Sequence, residues 1–125
     1  MSAKKRNTRE DTELPSIWKQ SVTKILERNK LNTVYYPSDP RNFDPRINNR
    51  YALRLQIVNY LNSPSSTYAH HEPKMPNQPP YLSAWSFHFN YKFEDNETDN
   101  LYFKILLDLK SKKVKILAAH PDRKR

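Results

Sequence analysis

The sequence predicts an α+β domain, two helices packed on one face of a three-stranded antiparallel β-meander, with disordered basic termini. Three observations lead there. Trp85, Phe87, Phe89, Tyr91 and Phe93 fall at every second position, separated by Ser86, His88, Asn90 and Lys92. An aromatic period of two marks a half-buried strand. Leu101, Phe103, Ile105, Leu107 and Leu109 repeat the pattern, and Val114 and Ile116 repeat it briefly. Upstream, two stretches carry apolar residues at helical spacing. The polar remainder is concentrated in 1–13, 63–80 and 119–125, which leaves 14–118 as one small domain.

Residues 1–13 hold Lys4, Lys5, Arg6 and Arg9, followed by Glu10, Asp11 and Glu13, with no apolar residue between Ala3 and Leu14. Such a segment has nothing to bury and is expected to be a disordered arm. Its acidic residues argue against a mitochondrial presequence. The Lys-Lys-Arg cluster suits a nuclear-import signal or a nucleic-acid-binding arm, although a solvated tail explains it equally well.

A first helix is expected over 14–30. Pro15 fits its first turn, and Trp18, Val22, Ile25 and Leu26, with Ile17 beside them, form an apolar stripe. Trp18 on that stripe reads as core rather than as a ligand platform. Lys24, Arg28 and Lys30 place positive charge where it favours the helix dipole.

Residues 31–49 read as a connection, because Pro37, Pro40 and Pro45 forbid a helix. Tyr35, Tyr36 and Phe43 interleave there with Arg41, Arg46 and Arg50. Aromatic faces can stack on bases while guanidinium groups hold phosphates. The other reading, which is favoured, packs the tyrosines onto the sheet and pairs the arginines with Asp39 and Asp44.

Residues 48–62 fit two patterns. Tyr51, Leu53, Leu55 and Ile57 alternate like a strand, whereas Tyr51, Leu55, Val58 and Leu61 match a helix. Composition, length, a cap at Asn48 or Asn49 and the stop at Asn62-Ser63-Pro64 favour a largely buried helix. Residues 63–80 carry five prolines and form an exposed loop, of a length that is usually functional or disordered. His70-His71-Glu72 lies in it, but adjacent residues of an extended segment point oppositely and no third ligand follows at a defined spacing, so no metal is expected.

The turn after the first strand, 94–100, carries Glu94, Asp95, Glu97 and Asp99. It lacks the spacing and glycine of a calcium loop and reads as a solvated turn, or as a docking point for basic residues. At the other end, 110–125 holds seven basic residues, Lys110, Lys112, Lys113, Lys115, Arg123, Lys124 and Arg125, against Asp122 alone. Lys113 and Lys115 suit the solvent face of the last strand and also suit an edge guard.

Composition narrows function by exclusion. The chain has no cysteine, which removes disulfides and thiolate metal sites. It has no glycine, which removes phosphate-cradling glycine loops, dinucleotide fingerprints and nucleophile elbows, and leaves asparagine to occupy left-handed turn positions. No apolar run is long enough to span a membrane. His88, Asp108 and Glu94 do not combine into a recognisable catalytic set, so no enzyme activity and no cofactor are expected. A net charge of +9 points to a polyanion or an acidic protein surface, or simply to solubility.

The expectation is therefore a small non-catalytic nuclear subunit of a nucleic-acid-handling complex, with DNA or RNA as ligand and other subunits as partners. Lys4, Lys5, Arg6, Arg41, Arg46, Lys110, Lys112, Lys113, Lys115, Arg123, Lys124 and Arg125 would contact its backbone. Tyr102 and Leu106 are apolar residues on the polar face of the second strand; with His88 they mark where a partner, or a further strand, would sit. The alternative is an adaptor or scaffold subunit that never touches nucleic acid.

Overall fold

The computed structural model describes residues 14–28, 32–63, 68–71 (backbone only at 69–71), 84–108 and 110–121. Helix α1 spans Ser16–Arg28 and follows Pro15, whose carbonyl accepts from Lys19 at 3.0 Å. Trp18, Val22 and Leu26 are fully buried along one stripe, with Ile25 half-buried beside them and Ile17 turned outward. Helix α2 spans Arg50–Leu61, and the Asn49 side chain caps it by accepting from the Ala52 N–H at 3.0 Å. The helical reading of this stretch holds, but its buried face differs from the expected one. Leu53, Arg54, Ile57, Val58 and Leu61 face inward, while Tyr51 and Leu55 lie 50% and 37% exposed.

The buried cation has a specific job. Arg54, only 6% exposed, donates from Nε to the Leu26 carbonyl at 3.1 Å and from Nη2 to the Ile25 carbonyl at 3.4 Å. These carbonyls lie in the last described turn of α1, towards the negative end of the helix dipole. One side chain of α2 thus ties the two helices together.

The sheet is mixed and larger than the expected meander. Strands β1 (Val34–Tyr35), β2 (Ala69–His71), β3 (Ala84–Lys92), β4 (Thr98–Asp108) and β5 (Lys113–Pro121) lie in the order β1-β5-β4-β3-β2. The β3-β4-β5 meander is its centre. Strand β1 adds in parallel to β5, pairing Val34 with Val114 and Tyr35 with Lys115, and β2 adds antiparallel to β3. Both additions are two or three residues long, too short to show a period in the sequence. Strand β5 is not an edge, which removes the edge-guard explanation of Lys113 and Lys115. Beyond β1, Asn42 and Asp44 continue to cover it: Ala119 donates to the Asn42 carbonyl at 2.8 Å and Asp44 donates to the Ala119 carbonyl at 2.7 Å. Near the other rim, Gln56 of α2 imitates a strand residue, donating to the Lys92 carbonyl at 2.8 Å and accepting from its N–H at 3.0 Å.

Strand β5 also runs to Pro121, beyond the expected Val114–Leu117 and into the stretch read as a basic tail. Lys104 pairs with Ala118 and Ile105 with Ile116, so Leu117 is the extra residue of a bulge and lies exposed. The bulge shifts the alternation, which is why the sequence pattern stopped there.

The hairpins manage without glycine as foreseen. Asn96, at φ 71°, closes the β3–β4 loop, where Phe93 donates to the Glu97 carbonyl at 2.8 Å. Asn32 takes a second left-handed position at φ 64°, but the third falls to Lys112 at φ 58°.

Both helices pack on the face of the sheet that carries Trp85, Phe87, Tyr91, Leu101, Phe103, Ile105, Leu107, Val114 and Ile116. Tyr60 of α2 stacks on Phe87 and Phe89 with centroids 5.1 and 5.0 Å away. Two helices on one face therefore stand as expected. Among the described residues, no helix is long and apolar enough to cross a membrane. Lys4, Lys5, Arg6, Arg123, Lys124 and Arg125, the expected disordered arm 1–13 and most of the loop 63–80 lie outside the described residues.

Candidate nucleic-acid interface

At the β4–β5 turn the fold draws together cations that are far apart in sequence. Lys24 and Arg28 lie four residues apart, and so on one face of α1. Lys112 comes from the turn. Together with Ser21, Ile25, Thr33 and Ser111 they line an open cleft of about 430 Å³. Among the described residues no carboxylate lines it. Lys112 reaches this position from a left-handed backbone conformation, which costs a non-glycine residue on the order of 1 kcal/mol. Strain kept at a ligand-facing position is a common signature of function. Three positive side chains gathered in one cleft form a donor set suited to phosphate oxygens.

The basic surface continues onto the open face of the sheet. Lys113 donates from Nζ to the Tyr35 hydroxyl at 2.7 Å and lies 4.9 Å from the ring centroid, with Lys115 Nζ 5.9 Å from it. Asp108 is the acidic neighbour, opposite Lys113 in the register. Hydrogen bonds from Ser111 hold its carboxyl below the usual range, and Lys115 adds its charge. Lys110, Lys112, Lys113 and Lys115 thus gather at one end of the sheet as expected, joined by Lys24 and Arg28.

The loop arginines belong elsewhere and are occupied. Arg46 forms a fork on Asp44, with Nη2 to Oδ2 at 2.7 Å and Nε to Oδ1 at 3.1 Å, and reaches Asp99 at 2.8 Å. Its guanidinium also lies 4.3 Å over the Phe93 ring. Asp44 is buried, which by itself would raise its pKa, but the side-chain and backbone hydrogen bonds of Arg46 hold it below the normal carboxylate value. Arg41, though 83% exposed, pairs with Asp39 at 2.9 Å, and Arg50 lies 4.3 Å over Tyr36. Tyr36 in turn packs edge-on against Phe43. The packing reading of this loop is the one its geometry supports, and Asp99 makes the acidic turn a docking point for Arg46.

Strand register brings His88, Tyr102 and His120 into one row across the open face. Tyr102 and Leu106 are both half-buried there, and among the described residues no further strand covers them, because β1 and β2 extend the sheet sideways. Among the described residues no group of three potential metal ligands converges.

Lys24 and Arg28 are site residues that sequence reasoning credited only to the helix dipole. Their spacing of four was visible; their meeting with Lys112 was not. No protein-family model, curated protein or solved structure compared with the chain matches it significantly.

Proposed function

We propose that this chain is a non-catalytic, nucleic-acid-associated subunit that grips the sugar–phosphate backbone with the cations of the β4–β5 end. The observation that carries this reading is the cleft where Lys24, Arg28 and Lys112 meet with no carboxylate among its described lining residues. Cations gathered in this way can hold phosphates, and each phosphate contact releases condensed counterions. Arg46 plays a different part, pairing within the fold. Lys4, Lys5 and Arg6 supply the nuclear-import signal in this proposal, and the complex supplies whatever catalysis is needed.

Replacing Lys24, Arg28 and Lys112 together with Gln tests it. Affinity for a mixed-sequence oligonucleotide should fall by tenfold or more at low salt, and the slope of log K against log salt should flatten by about 2 to 3. An unchanged slope would overturn the proposal. A second reading, an adaptor without nucleic-acid contact, is favoured by Tyr51 and Leu55, which lie four residues apart on α2 and are both exposed. Under that reading, protein partners survive nuclease treatment during purification and are lost with Leu55→Glu.

A further inference from the structure

The open face of the sheet carries more than charge. His88 of β3, Tyr102 of β4 and His120 of β5 are register partners, so their side chains emerge side by side from three adjacent strands. The Tyr102 and His120 rings lie 5.5 Å apart and tilt by only 33°. His88 is exposed and the other two are half-buried. Asn90 and Asn100 follow in the next row, where the Asn100 amide donates to the Asn90 carbonyl oxygen at 3.4 Å. In the other direction come Ser86, Lys104 and Ala118, then Leu106 beside Lys115 and Tyr35.

Charge on this face runs one way. Lys92, Lys104, Lys113 and Lys115 share it, and among the described residues of β3, β4 and β5 Asp108 is its one carboxylate. Aromatic rings interleaved with lysines on a half-open sheet offer π-faces to bases and cations to phosphates. A duplex keeps its bases stacked inside and can use only the cations. A single strand can use both.

We infer that the row His88–Tyr102–His120 is a base-stacking platform, so that the ligand is single-stranded nucleic acid crossing the open face towards the lysines of the β4–β5 end. This rests on the backbone-gripping reading and narrows it to one strand. A second copy of the chain seated on the same face is the competing occupant, and the positive charge of the face opposes it.

The experiment is fluorescence anisotropy of the full chain with a labelled oligothymidylate of about 15 nucleotides and a mixed-sequence duplex of the same length. The wild type should prefer the single strand. Tyr102→Leu, which keeps apolar bulk without a π-face, and His88→Ala should each weaken single-strand binding about tenfold while leaving duplex binding unchanged. Tyr102→Phe should retain it, which separates stacking from loss of folding. Equal affinity for the two probes, or full single-strand binding by Tyr102→Leu, would overturn the inference while leaving backbone gripping intact. Sedimentation showing a dimer that dissociates in Tyr102→Leu would assign the face to self-association and overturn it too. Failure of both probes to bind would remove both readings together.

Discussion

The two ends of the sheet use the same residue types to opposite ends. At the β3–β4 hairpin, Arg46 is surrounded by Asp44, Asp99 and the Phe93 ring, and its five donors are largely spent inside the molecule. At the β4–β5 turn, Lys24, Arg28 and Lys112 share a cleft that no carboxylate of the described residues lines. Asp99, one of the two acidic residues that Arg46 binds, lies near one end of β4, and Lys112 follows its other end, a separation of about 30 Å by strand rise. A basic residue next to an aromatic ring is therefore not a binding signal in itself. What distinguishes the two ends is whether the fold supplies the counter-charge.

The largest effect expected from breaking this division concerns a third kind of cation, the buried one. Arg54→Ala removes the donors of the Ile25 and Leu26 carbonyls and should cost about 3 kcal/mol in urea denaturation. A loss below 0.5 kcal/mol, the usual range for surface changes, would mean that the α1 terminus is satisfied in another way.

Next comes the hairpin end. Asp44→Ala should cost about 1–2 kcal/mol at neutral pH and leave nucleic-acid affinity within about twofold. The same carboxylate sets a pH dependence. Its folded pKa is depressed below the unfolded value, so its contribution is complete above about pH 4 and is lost as pH falls through the folded pKa. Thermal melts between neutral pH and acid should show stability falling below about pH 4. Asp44→Asn should make that fall shallower, and an unchanged acid limb would contradict the assignment.

The smallest effect sharpens the comparison most, because it separates stability from binding at one residue. Lys112→Gly relieves the left-handed backbone while deleting a cation. It should raise stability by up to about 1 kcal/mol and still weaken binding to nucleic acid. Loss of both would show that the conformation at Lys112 is not strained.

Much of this architecture was written in local periodicity. The aromatic alternation of β3 and the leucine-rich alternation of β4 persist long enough to identify strands, and asparagine at two of the three left-handed positions among the described residues followed from the absence of glycine. The misreadings have identifiable causes. A hydrophobic pattern cannot announce a buried Arg54, because its partners belong to another helix, so of the expected stripe Tyr51, Leu55, Val58 and Leu61 only Val58 and Leu61 are buried. The Leu117 bulge broke the period of β5 and hid its second half. Strands β1 and β2 have no period to read. Of the candidate site, the lysines of 110–115 were legible as a charge run. Their union with Lys24 and Arg28, and the row of His88, Tyr102 and His120, depend on tertiary packing and register, which no single stretch encodes.

The central claim is that the two ends divide labour, one cation set for the fold and the other for phosphate. It is tested most directly by measuring urea stability and the salt dependence of oligonucleotide binding for two variants, Arg46→Gln and the triple Lys24→Gln, Arg28→Gln, Lys112→Gln. Arg46→Gln should lose about 1–2 kcal/mol of stability and keep its salt slope. The triple variant should stay within about 0.5 kcal/mol of the wild type and flatten the slope. A flattened slope in Arg46→Gln, or an unchanged slope in the triple variant, would contradict the division.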